Sequence, residues 1–217
     1  MTPEEVSAHQ ARYEGEVARQ WAQGPSDGAH DLGHLRRVWR AANLIAMDEE
    51  NVDRRVLLAA CFFHDLVNVP KDSVLRRSAS RLSAEAACTF LREDGFDPTK
   101  VHLVAHAIEA HSFSAGIAAE TIEAKILQDA DRLEALGAIG IARMFHVAGS
   151  MGGGLFDPAD PMAQHRPLDD RQFALDHIQT KLQHLAAKMH TATGRAMANE
   201  RTDWMLSFRT RLLAEIK

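Results

Sequence analysis

The sequence predicts an all-α protein, a single helical bundle with a C-terminal helix pair, on three observations. Apolar residues recur at helical spacing, as in Leu35, Val38, Ala42 and Ile45. No run of strand-like alternation bounded by turns interrupts them. Helix stop and start signals, among them Gly24-Pro25, Gly95 and Asp97-Pro98, fall between the periodic segments.

The elements follow in order. A first helix covers about 3–23 and stops at Gly24-Pro25. A second covers about 31–48, and a third about 53–66. The third is apolar through its middle, which predicts burial on most sides and a central position. A loop over 67–77 leads to a helix over 78–94, closed by Gly95. Asp97 as N-cap and Pro98 at the first helical position predict a helix from there to His111. A small-residue loop at 112–119 precedes the longest helical pattern, about 120–147, where Gly137 and Gly140 would admit a neighbouring helix. Residues 149–168 have loop composition, with Gly152-Gly153-Gly154, Asp157-Pro158 and Asp160-Pro161. The segment reads equally as a flexible lid or a surface connector. Helices over 169–189 and 194–216 complete one domain spanning 1–217, with its core at about 25–148.

Composition narrows the class. The 217 residues carry 25 Lys+Arg against 30 Asp+Glu, a net charge of -5, which argues against a nucleic-acid or anionic-membrane binder. The two cysteines, Cys61 and Cys88, sit in apolar helical patterns and offer no CxxC pair or disulfide framework. The N-terminus lacks the apolar core of a signal peptide, and the longest wholly apolar stretch, 56–63, is far too short to span a bilayer. A cytoplasmic protein is the expectation. Histidine, at 12, is in excess, and imidazole is the commonest metal ligand.

Three places put histidine or aspartate where a core-facing helix calls for apolar residues. His34 lies one turn before Val38 on the inward face of its helix. His64-Asp65 ends the most apolar helix, after Leu57, Leu58, Cys61 and Phe62. Asp131, with Asp129, sits inside an apolar helical run. Buried carboxylates demand partners or a metal. Two imidazoles with carboxylates suit a divalent ion such as Mn, Mg, Fe, Co or Zn.

This order, a His, an adjacent His-Asp and a distant Asp, resembles the HD-domain superfamily of metal-dependent phosphohydrolases. His34, His64, Asp65 and Asp131 match its positions one by one. The flanks look like the YedJ/YpgQ-type HD hydrolases: His30-Asp31-x-x-His34-x-x-Arg37-Val38, Ala60-x-x-x-His64-Asp65, His111-Ser112-Phe113-Ser114, the run from Glu123 through Gln128 to Leu133, the run from Gly137 to Arg143, and Lys181-Leu182. The likeness covers residue 30 to the C-terminus. It departs after the His-Asp pair, where Leu66-Val67-Asn68 replaces the acidic residues some HD phosphohydrolases carry.

The resemblance implies a hydrolase of nucleotide phosphates, with a nucleoside triphosphate pyrophosphohydrolase favoured and a monophosphatase or regulatory nucleotide-binding module as alternatives. It implies metal ligation by His34, His64, Asp65 and Asp131, with Mn or Mg favoured over Co, Fe, Zn or Ni. Asp65 and His111 are the candidate catalytic residues, and Lys181, Arg143, Gln128 and His30 the candidate substrate contacts. Asp129 is read as an orienting partner of a ligand histidine. The expected partner is a small-molecule nucleotide, without membrane or nucleic acid, and a homodimer stays open.

Overall fold

A computed structural model of the chain describes residues 1–22, 31–67, 69, 78–112 and 115–216. Helices dominate, and among the described residues no strand forms beyond one isolated bridge, between Gly154 and Phe173. None of these helices is long and apolar enough to cross a membrane. The chain divides into two compact units, Met1–Asp131 and Arg132–Lys217.

In the first unit, the first three helices begin where a side chain satisfies orphan N–H groups of the first turn. Thr2 and Glu5 form a reciprocal capping box ahead of α1 (Pro3–Trp21). Asp31 caps α2 (Leu32–Ile45), and Asp53 caps α3 (Arg54–Phe63) by accepting from the N–H groups of Arg55 and Val56. Every residue of α3 from Val56 to Phe63 is buried. This helix packs on α1, on α2, on α4 (Ala79–Glu93) and on α5 (Val101–His111), the central position its composition predicts. Gly95, at φ +75°, ends α4, and the Phe96 N–H returns to Leu91 O at 2.9 Å.

The start of α5 lies later than Asp97-Pro98 suggests. The Asp97 carboxylate accepts from the N–H and hydroxyl of Thr99, at 2.9 and 2.7 Å, and closes a turn before the helix begins. Glu123, near the start of α6 (Ile122–Leu133), is buried and accepts the Asp53 N–H at 2.7 Å, tying α6 to the start of α3.

In the second unit, the long pattern over 120–147 is broken. Following α6, the chain tightens into short-range turns over 134–136 and restarts as α7 (Gly137–Ser150). Gly137 takes φ +69°, which a side chain resists. Gly140 serves its own backbone rather than a neighbouring helix. A Cβ there would lie 2.3 Å from the carbonyl carbon and oxygen of Ala135. Gly140→Ala should therefore destabilise the protein by about 2 kcal/mol, despite the better helix propensity of alanine, measured as a drop in the urea midpoint.

The pattern over 169–189 is not one helix either. Gly154 N–H donates to Gln172 O, and Ala174 N–H donates to Gly154 O, at 2.8 and 2.9 Å. These sideways bonds keep the backbone around Phe173 out of a helix. What remains is α8 (Asp176–Thr180) and two 3-10 turns, Leu182–His184 and Ala186–Lys188. Thr191 then caps α9 (Ala192–Glu215), which packs on α7.

Candidate active site

Two of the candidate histidines stand at helix C-termini, where the last carbonyls lack intrahelical partners. His64 immediately follows α3, and its ring Nδ1 lies 2.9 Å from Cys61 O. His111 ends α5, with Nδ1 2.6 Å from Ile108 O. A carbonyl only accepts, so each Nδ1 carries the proton and donates it three residues back. For neutral imidazole this leaves Nε2 as a lone pair, the form that binds cations. His34 reaches the same place from the first turn of α2, where its backbone N–H donates to Asp31 Oδ1 at 2.7 Å.

The Nε2 atoms of His34 and His64 face each other at 3.2 Å, both residues being fully buried. Asp65 Oδ2 lies 3.6 Å from His34 Nε2 and 3.3 Å from His64 Nε2. Asp131 Oδ1 lies 3.6 and 3.8 Å from the same two nitrogens. The other oxygen of Asp65 faces His111 Nε2 at 3.7 Å. Two overlapping donor groups result, His34-His64-Asp131 and His64-Asp65-His111, each with ligand atoms within 4.8 Å of one another.

Burial raises the carboxyl of Asp65, but the charge of His64 and the facing His111 and His34 rings outweigh it and hold the group well below the ordinary carboxylate range. Asp131 is raised by burial and brought below its ordinary value by His64, His34 and His111. Burial lowers His111, and the Asp65 carboxylate more than reverses this, so its affinity for a proton is raised. Both carboxylates are thus anionic at neutral pH. Imidazole lone pairs and carboxylate oxygens converging on one point form a mixed N/O donor set that fits a divalent transition ion or magnesium.

The other candidates fall in different places. Gln128 is buried and donates from Nε2 to Ala110 O at 2.8 Å, which fixes the chain next to His111. Asp129 is fully buried, two residues before Asp131. His106 Nε2 accepts the Glu120 N–H at 3.1 Å, a structural bond. His30 lies outside the described residues. Arg143 and Lys181 belong to the second unit, where Arg143 Nη1 is 3.8 Å from Glu134 Oε2 and Lys181 joins α8 to the following 3-10 turn. Arg132 donates to Lys188 O at 2.6 Å. The proton-fixing bonds of His64 and His111 escaped the sequence reading. Their one sequence signal is a histidine in the last turn of an apolar helix, where ring and free carbonyl meet.

A helical unit that gathers His from α2, His-Asp from the end of α3 and Asp from α6 defines a metal-centred hydrolase. Residues 31–136 match the HD domain model. The chain is 33% identical over 210 residues to YpgQ of Bacillus subtilis, covering 94% of each protein. It belongs to the HD-domain family and is a hydrolase. A crystal structure of YpgQ in complex with ADP superposes with TM-score 0.74 at 31% identity, over 97% of this chain and 96% of that one. An HD-superfamily hydrolase from Bacillus thuringiensis gives TM-score 0.74 at 28% identity, over 97% of both chains.

Proposed function

We propose that the protein is a divalent-metal-dependent (d)NTP pyrophosphohydrolase, releasing pyrophosphate and a nucleoside monophosphate. The observation that carries this reading is the convergence of His34, His64, Asp65 and Asp131, with His111 facing the free oxygen of Asp65. The ADP bound in the YpgQ structure supports a nucleotide as the ligand class.

In this reading His34, His64, Asp65 and Asp131 hold the ion. When bound, such an ion polarises a phosphoryl oxygen and acidifies a water. Asp65 receives the proton of the attacking water at the oxygen facing His111. His111 acts in its protonated form, favoured by the Asp65 carboxylate, and gives the Nε2 proton to the leaving phosphate while Nδ1–H stays bonded to Ile108 O. Gln128, a substrate contact on the sequence pattern, also acts through position by holding Ala110 and hence His111. Arg143 and Lys181 are proposed, on the sequence pattern, to neutralise phosphate oxygens.

The test is a panel of NTPs, dNTPs and NMPs with manganese, magnesium, cobalt and zinc, in which phosphate and pyrophosphate are measured separately. Pyrophosphate from triphosphates, abolished by EDTA and restored by manganese or magnesium, is the expected result. Phosphate from monophosphates would replace this reading with a nucleotidase. Tight binding without product would make it a regulatory module. The same panel on Arg143→Ala and Lys181→Ala should show raised KM.

A further inference from the structure

We infer that Trp21, on a helix that precedes the matched HD segment, is a positioning residue of the metal centre. The match begins at residue 31, and α1 ends at Trp21. The indole Nε1–H of Trp21 donates to the main-chain carbonyl of Asp65 at 3.1 Å. The inference rests on the ligand reading above.

Asp65 is the residue for which a main-chain anchor matters most. Its two carboxylate oxygens face opposite ways, one toward His34 and His64 and the other toward His111. A small rotation of its backbone moves both oxygens at once. Asp65 also lies beyond the last residue of α3, Phe63, in the turn that follows the helix. The indole N–H of Trp21 ties this turn to a different helix.

Helix α1 is itself firmly seated. The Tyr13 ring is buried 4.8 Å from the Phe63 ring, two residues before Asp65. Glu14 accepts two bonds from the Arg36 guanidinium on α2, at 2.8 and 2.6 Å, and Arg12 pairs with Asp94 after α4. Val17 is fully buried. A rigid platform is what a partner needs in order to fix a ligand's orientation. Because Trp21 bonds to the ligand's backbone and not to its carboxylate, the effect should be smaller than that of a residue bonded to the ligand group itself.

The experiment is manganese(II) titration by calorimetry on the full chain, with no nucleotide present. Trp21→Phe keeps most of the ring and removes the N–H. It should weaken the manganese Kd by about three- to tenfold, and lower kcat more than it changes KM. Benzothienylalanine at position 21, with sulfur in place of the indole N–H, should do the same without disturbing packing, and it decides the matter if Trp21→Phe folds poorly. Val17→Ala, a core truncation on the same helix, should lower Tm yet leave the Kd within about twofold. An unchanged Kd for both position-21 variants overturns the inference alone. So does an equal loss in Val17→Ala, which would mean that only the docking of α1 matters. If the unaltered protein binds no manganese, the ligand reading falls and this inference with it.

Discussion

His64→Ala is expected to empty the metal centre and to lower nucleotide turnover by about a thousandfold or more. The magnitude follows from the several kcal/mol of charge stabilisation a divalent ion supplies, at about 1.4 kcal/mol per factor of ten. His64 is the residue shared by both donor groups. Its Nε2 lies within 3.8 Å of His34, Asp65 and Asp131 alike, so its loss leaves neither group complete. The variant should still fold. The bond lost with the ring is the one from Nδ1 to Cys61 O, worth about 1 kcal/mol. Metal content by emission spectroscopy, kcat/KM with saturating manganese and Tm are the three measurements. Near-normal metal content with more than a tenth of the activity would remove His64 from the ligand set.

The candidate site was legible because its residues break a local rule. His34 interrupts an apolar stripe that runs on through Val38 and Ile45, and His64 ends a helix buried from Val56 to Phe63. Polar groups in such positions need a reason, and periodicity alone exposes them. His111 was legible in the same way, by sharing a face with Val104 and Ile108, both fully buried. Gln128 was legible only as a member of a motif. Its direction, toward Ala110 O, depends on how α5 and α6 meet, which no local pattern encodes. Trp21 gave no signal, since an indole near a helix end is ordinary until a carbonyl is found 3.1 Å from it.

The fold was legible to the same depth. The central place of α3 followed from its composition. The break between α6 and α7 did not, because the apolar period continues through it. It is made by Gly137 in a left-handed conformation and by the close return of Ala135 to Gly140, a contact across five residues that the apolar period does not announce. The false helix over 169–175 has a similar cause. Its sequence is compatible with a helix, and hydrogen bonds to Gly154, far back in the chain, take its backbone elsewhere.

Those same bonds make the segment over 149–168 the site of the second large effect. Glycine and proline suggest a loose loop, yet Arg166 anchors it. Its guanidinium reaches Asp176 through two bonds, at 2.6 and 2.9 Å, approaches Asp157 at 3.2 Å and lies 4.5 Å over the Phe173 ring. Asp176 is fully buried and also accepts the Asp169 N–H at 2.8 Å. Removing one partner of such a pair strands the other's charge in a site built to neutralise it, which costs more than the pair contributes in net terms. Asp176→Ala should therefore destabilise the protein by about 3 kcal/mol, read as a fall in the urea midpoint at constant m-value. Asp176→Asn keeps an acceptor for Asp169 but loses the charge, and should fall between the two. Limited proteolysis locates the effect. Cleavage within 149–168 should accelerate in Asp176→Ala well before global unfolding, because Asp176 ties that segment to α8. A loss below about 1 kcal/mol, with no new cleavage there, would mean that Arg166 is satisfied by Asp157 alone and that the loop is held by its glycine bridge to Phe173.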